Sequence, residues 1–236
     1  MSSLRLKQSL RLLPFGLILG FMLFFYFSDL YKQFSFENLK RDHDYLKQFV
    51  KLHPWLSPLL FMTVYVLSVC LIIPDSTVLT LLGGALFPLP LAIFYTAFAE
   101  TLGAWIFFIS LEWALGRKWM SKQQTFLARM QKDFNENAAN YMLSLRLSHL
   151  VPFWLINVAA AYFRLRSWTF LWTTFLGVLP LSYLFSTAGH RLSDIFAQNE
   201  TLTLMKLFNT QMKLLLLLFS LCALAPLLYK KFFKKK

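Results

Sequence analysis

The chain has 236 residues, of which 57% are hydrophobic, 18% aromatic and only 15% charged. Its mean hydropathy of +0.53 and its long uncharged apolar blocks exclude an ordinary soluble domain and indicate one polytopic membrane domain. The formal net charge of +13 has no folded soluble stretch to present it as a basic face. It therefore belongs beside anionic lipid head groups and not on nucleic acid.

Residues 1–54 begin with MSSLRLKQSLR and a first apolar block, 14–30. The arrangement is like a signal peptide, but FSDLYKQF follows where a small-residue cleavage site would stand. An uncleaved signal-anchor helix is expected, then a polar external segment, 31–53, with an amphipathic helix.

Residues 55–191 form the expected core: a bent element over 55–87, a transmembrane helix over 91–115, a basic loop over 116–140, a second bent element over 141–163 and a transmembrane helix over 167–189. Residues 192–236 supply a last transmembrane helix, 207–229, and the cytosolic tail KKFFKKK. Each lysine of that tail is worth ~1 kcal/mol against anionic lipid.

The bent elements turn at Pro74 and Pro152. Beyond Pro74 the helical stretch to Phe87 is about 18 Å long, and the arms flanking Pro152 are roughly 16 Å each, against a hydrocarbon core of about 30 Å. Such arms reach mid-membrane and return. Residues 55–73 alone are long enough to span, and charge decides against it. With both elements re-entrant and the N-terminus cytosolic, fifteen Lys and Arg lie inside and seven outside. A spanning first arm would move the basic loop and the tail outside, against the positive-inside rule.

The halves also correspond. Pro74 and Phe87 match Pro152 and Phe163, and Gly103 matches Gly177. Facing opposite sides of the membrane, they make an inverted repeat. The expected fold is thus an all-α polytopic membrane protein. Its inverted repeat has two opposed re-entrant helical hairpins, each followed by a transmembrane helix, with further transmembrane helices at both ends.

Polar residues inside this apolar frame are the site candidates. Asp75 stands at the first bend and either caps the following helix or acts in function; the two are compatible. Glu100, far from either end of its span, is the costliest charge in the chain, as a structural ion pair or as a carboxylate that binds a proton or faces a head group. Arg146 suits a phosphate through its bidentate fork, or else neutralises Asp75 or Glu100. His149 is one turn further on, as a structural or a titrating histidine. Asn157 satisfies backbone groups freed at the second bend, or touches a head group. Gly83, Gly84, Gly103 and Gly177 read as packing positions and Pro74 and Pro152 as hinges. Cys70 and Cys222 read as small buried hydrophobes, and no metal, cofactor or nucleophile motif is present.

The stretches IIPDSTVLTLLGGALF, ETLGAWIFF and GR, then LRLSHLVPFWLINVAAAYF and FLGVLP, resemble the VTT domain of DedA-like membrane proteins. By that resemblance Asp75 falls on the family's hairpin acid and Arg146 on its hairpin Arg, with Asn157 and Gly177 also matched. Ala104 stands where some members carry an acid, and Pro152 where they carry a second Arg. His149 replaces a frequent Pro, and Ala161 a frequent Gly. These departures place the chain nearer the SNARE-associated Golgi-type branch.

The resemblance implies movement of phospholipid or polyprenyl phosphate between leaflets. The expected partners are membrane lipids with anionic head groups, with protons as candidate co-substrates and a homo-oligomer left open. A proton- or cation-coupled carrier of a small solute and a membrane scaffold are the alternatives; an enzyme is not expected. The expected location is a bacterial inner membrane with both termini cytoplasmic, with a eukaryotic endomembrane as the alternative.

Overall fold

A computed structural model describes residues 16, 20, 36–73, 76–119, 137–148 and 151–197. Apart from Gly16 and Gly20, the expected first transmembrane helix, with the last one, most of the basic loop, and Pro74, Asp75 and His149, lies outside the described residues. All regular structure among the described residues is helical: α1 (Phe36–Leu52), α2 (Leu56–Cys70), α3 (Ser76–Leu86), α4 (Leu89–Trp119), α5 (Ala138–Ser148), α6 (Phe153–Tyr162) and α7 (Ser167–Ala197).

Each apolar element expected to bend is two helices, α2 and α3 in the first and α5 and α6 in the second. α2 ends in a backbone-closed cap. The Ile73 N–H donates to Ser68 O at 3.0 Å and the Ile72 N–H to Val69 O at 3.2 Å. This closure needs a left-handed residue, and Ile72 adopts φ 57° although a β-branched side chain opposes it. α6 ends the same way: the Leu165 N–H donates to Ala160 O at 3.0 Å, the Arg164 N–H to Ala161 O at 3.2 Å, and Arg164 has φ 52°. Pro152, at φ −53°, sits at the N-terminal cap of α6, where a missing N–H costs nothing.

The lengths separate two classes of helix. At 15, 11, 11 and 10 residues, α2, α3, α5 and α6 are about 15–22 Å long, short of a hydrocarbon core of about 30 Å. α4 and α7, with 31 residues each, reach about 46 Å. Among the described residues they hold the two segments long and apolar enough to cross a membrane, Leu89–Ala114 and Ser167–Ile195. α7 thus runs past Gly189, where the apolar pattern led us to end the span. Ala188, Leu192 and Ile195 keep one buried helical face going beneath exposed His190, so the charges there interrupt the hydropathy without interrupting the helix.

α4 and α7 pack on each other, with Phe108 stacked on Phe170 at 4.5 Å between centroids. The short helices are then exchanged. α2 packs chiefly on α4 and α5 on α7, the span that follows each, whereas α3 packs chiefly on α7 and α6 on α4. The two arms of each bent element barely touch. A hairpin of two arms packed along each other is therefore not what forms: each second arm finds its apolar partner in the other half of the core.

Two glycines make the α3–α7 contact. A Cβ on Gly84 would run into the backbone of Ser186, and one on Gly189 into the backbone of Leu81. The helices therefore meet backbone to backbone, with each glycine opposite the other helix's chain. α1 joins the core through buried His43. Its Nε2 is 3.0 Å from the Oγ of Ser193 on α7, and its Nδ1 is 2.9 Å from the Asp44 carboxylate.

Candidate functional site

Where α3 to α7 converge, a cavity of about 120 Å³ opens, lined by Ser76, Glu100, Leu145, Arg146, Val151, Phe153, Ile156, Val178 and Leu181. Every helix of the exchanged core contributes to it except α2. The N-terminus of α3 and the break between α5 and α6 border it, so the bends in the apolar elements place polar groups in the interior.

Arg146 is 3% exposed. Its Nη2 donates to Asn157 Oδ1 at 2.6 Å and to Thr174 Oγ1 at 3.1 Å. Its guanidinium stacks on the Phe153 ring at 4.1 Å from the centroid, with Phe170 at 5.6 Å. Its Nε and Nη1 have no hydrogen-bond partner among the described residues. A buried cation that retains unfilled donors is costly, because burial removes the water that would fill them. Here the two donors belong to a residue that lines a cavity.

The stem of Arg146 lies where a side chain on α7 would be. A Cβ on Gly177 would come within 2.5 Å of Arg146 Cβ and 3.0 Å of its Cγ. Gly103 on α4 holds the corresponding place in the first half: a Cβ there would come within 2.7 Å of Val66 O and 2.8 Å of Val69 Cβ on α2. One turn before each glycine is a polar residue that meets the same short helix. Thr174 meets Arg146 of α5, and Glu100 meets Tyr65 of α2.

Glu100 is half-buried. Its Oε2 accepts from the Tyr65 hydroxyl at 3.5 Å, the outer limit of a hydrogen bond. The same hydroxyl is 2.9 Å from Thr80 Oγ1, which donates to Ser76 O at 2.8 Å. Tyr65 is therefore occupied mainly by α3, and Glu100 is lightly held. Among the described residues, no ion pair or hydrogen bond joins Glu100 to Arg146.

Of the residues expected at the site, Glu100, Arg146 and Asn157 come together, and Gly177 supports them. Gly83 faces Phe61 and Thr96, and Gly84 faces Ser186; these are packing positions. The sequence reading missed Thr174, Phe153, Tyr65 and Gly189. Thr174 carried a usable signal, being a polar group one helical step before Gly177; Tyr65 and Phe153 were hidden in apolar runs, and Gly189 beside the charges that follow it.

The chain Asp44–His43–Ser193 has the connectivity of a hydrolytic triad. Ser193, however, is 1% exposed on the inner face of α7, where no substrate carbonyl could reach it. Among the described residues, no three His, Cys, Asp or Glu side chains converge as metal ligands would.

Comparison with known proteins gives consistent results. Residues 73–191 match the VTT domain. Transmembrane protein 41B from Gallus gallus is 28% identical over 180 residues, covering 75% of this chain and 64% of that protein. The Homo sapiens protein of the same name is 27% identical over 180 residues, covering 75% and 60%. The Transmembrane protein 41 homolog of Caenorhabditis elegans is 36% identical over 136 residues, covering 56% and 55%. The chain thus spans less than two thirds of the length of these relatives. No solved structure matches it.

Proposed function

This chain belongs to the VTT-domain family of DedA-like membrane proteins, and from that premise we propose that it moves lipids between leaflets, as a flippase or scramblase of phospholipid or polyprenyl phosphate. One observation carries the reading: Arg146, 3% exposed, lines a cavity with two nitrogens that have no partner among the described residues. A guanidinium fork with free donors is suited to the oxygens of a phosphate. A scaffold would gain by letting Glu100 and Arg146 pair, and they do not.

Packing supports the membrane arrangement. α1 and the end of α7 must share a side, since His43 touches Ser193. With α4 and α7 as crossings, a single further crossing by α2 would put those two residues on opposite faces. Return of α3 to the side from which α2 enters keeps them together, as re-entry requires. The exchange of α3 and α6, and the matched contacts at Gly103 and Gly177, support two related halves in inverted orientation. The named relatives are animal proteins, which favours a eukaryotic endomembrane over a bacterial inner membrane.

The test is leaflet exchange of acyl-labelled phospholipid, and separately of a polyprenyl phosphate, in liposomes holding the purified protein. Wild type should exchange at least one of them, and Arg146→Gln should abolish it while the protein stays folded. Asp75→Asn measures whether the acid at the first bend takes part. Folded wild type that exchanges neither lipid would overturn the reading in favour of a small-solute carrier.

A further inference from the structure

α2 and α5 hold equivalent places, each packed chiefly on the span that follows it, yet their outer faces differ. On α2 that face is Leu56, Leu59, Leu60, Val64 and Leu67, all exposed. The exposed polar group among them, Thr63, donates its hydroxyl to Leu59 O of its own helix at 2.7 Å. On α5 the exposed residues are Asn140, Tyr141 and Ser144, with Asn137 just before the helix. Spaced three and four apart, they make one stripe, on the side away from buried Ala138, Met142 and Arg146. α5 is 11 residues long, about 16 Å, and as a returning arm it lies within the depth of the hydrocarbon. Leucines on such an arm suit lipid tails. Amides do not, because hydrocarbon offers them no hydrogen-bond partner.

We infer that the outer face of α5 is a wet track for lipid head groups, which follow it between the membrane surface and the bend while their tails stay in the bilayer. The inference rests on the lipid-moving reading and adds to it a surface outside the cavity. Continuity favours head groups over a protein partner. The stripe starts at Asn137, where the chain enters α5, and runs to half-buried Ser148 at the helix end, beside the cavity-lining residues Leu145, Arg146 and Val151. Positions 137, 140, 144 and 148 rise in steps of about 5–6 Å, so a head group finds a new partner within reach at each step. Shape agrees. Helices that pack closely in membranes meet through small residues, as α3 and α7 do at Gly84 and Gly189, whereas two asparagines and a tyrosine hold a second helix off. Chemistry agrees too: amides and hydroxyls both donate and accept, and they hold a charged group less tightly than an opposite charge would, as passage requires.

The test has two arms. In the first, single spin-labelled cysteines are placed at 140 and 144 of α5 and at 60 and 64 of α2, in liposomes, with Cys70 and Cys222 replaced by serine. Collisions with a water-soluble nickel chelate and with oxygen, which concentrates in hydrocarbon, report what covers each face. Positions 140 and 144 should favour the chelate, and 60 and 64 oxygen. In the second arm, exchange of acyl-labelled phospholipid and of polyprenyl phosphate is measured for wild type, for Asn140→Leu with Ser144→Leu, and for Asn140→Gln with Ser144→Thr. The leucine pair should slow exchange at least about tenfold, the effect of losing two hydrogen-bonding groups, and the polar pair should retain it. Oxygen favoured on both faces would overturn the track. Access of neither reagent to 140 and 144 would overturn it in favour of a protein cover, with spin–spin broadening marking a second copy. Unchanged exchange in the folded leucine pair would overturn the track while lipid movement stood. Folded wild type that moved neither lipid would overturn the lipid reading and the track with it. Should the leucine pair fail to fold, the collision arm still decides whether the face is wet.

Discussion

Gly177 of α7 is the floor on which Arg146 of α5 lies, with room for a hydrogen there and none for a methyl group. A Cβ at 177 would sit 2.5 Å from Arg146 Cβ, an atom fixed to the backbone that cannot swing aside. Gly177→Ala must therefore shift α5 or turn the guanidinium away from Asn157 and Thr174. Overpacking of this kind costs ~1–3 kcal/mol, against a helix-propensity gain of about 1 kcal/mol for replacing glycine by alanine. The expected outcome is a lower thermal midpoint in detergent and loss of lipid exchange. Gly16→Ala is the control: nothing lies within 4 Å of that position, so the same substitution should be neutral or mildly stabilising.

The guanidinium makes two hydrogen bonds from a single nitrogen while stacked on Phe153. Lysine has one charged nitrogen and no plane, so it cannot reproduce the stack together with the unfilled donors. Arg146→Lys should therefore keep the charge and fail to restore exchange. Asn157→Ala removes an acceptor from a buried cation, at a cost of about 1.5–3 kcal/mol. In a double-mutant cycle, Asn157→Ala should cost far less in an Arg146→Gln background, with a coupling of roughly 0.5–3 kcal/mol. Additive effects would mean that Asn157 supports the α6 backbone and not the arginine.

Gly84 and Gly189 bring α3 and α7 together from opposite sides of one contact. Alanine at either position places a methyl group into the facing backbone, which has less freedom to yield than a side chain. Each single substitution should destabilise by about 3 kcal/mol, at the high end for overpacking. Either one already pushes the helices apart, so the double variant should cost clearly less than the sum. Thermal denaturation of the three variants measures this directly, and full additivity would argue for two independent contacts.

The helices and the site were legible in the sequence to different depths. Runs of apolar residues interrupted at Pro74 and Pro152 were enough to locate the short helices, because a helix cannot pass those prolines without losing a backbone bond. Glu100, Arg146 and Asn157 stood out because a polar group in an apolar run must have a partner or a purpose. The exchange of α3 and α6 was not legible. Both arms are apolar on most sides, so periodicity does not say which neighbour each one takes. Gly189 was hidden for a related reason: next to His190 and Arg191 it looked like the end of a span, when it is a contact inside a continuing helix. Hydropathy shows where charge begins, and the packing of α1 against Ser193 shows why the helix continues beneath it.

That packing makes the membrane topology testable. His43 and Ser193 are 150 positions apart in the chain and in hydrogen-bond contact, so the segments around them share one side of the membrane. Asp44 and Asp194 are exposed neighbours of this pair, and Asn137, just before α5, is exposed as well. In a background with Cys70 and Cys222 replaced by serine, single cysteines at 44 and 194 should react with a membrane-impermeant maleimide from the same side. A cysteine at 137 should react only after the opposite side is opened. Re-entry of α2–α3 and of α5–α6 requires this pattern, because α4 then carries the chain across once and α7 brings it back. If 137 labelled from the same side as 44 and 194, both bent elements would cross, and the cavity would no longer lie between two returning arms. If 44 and 194 labelled from opposite sides, the His43–Ser193 contact itself would be excluded in the membrane, and the arrangement of α1 with it.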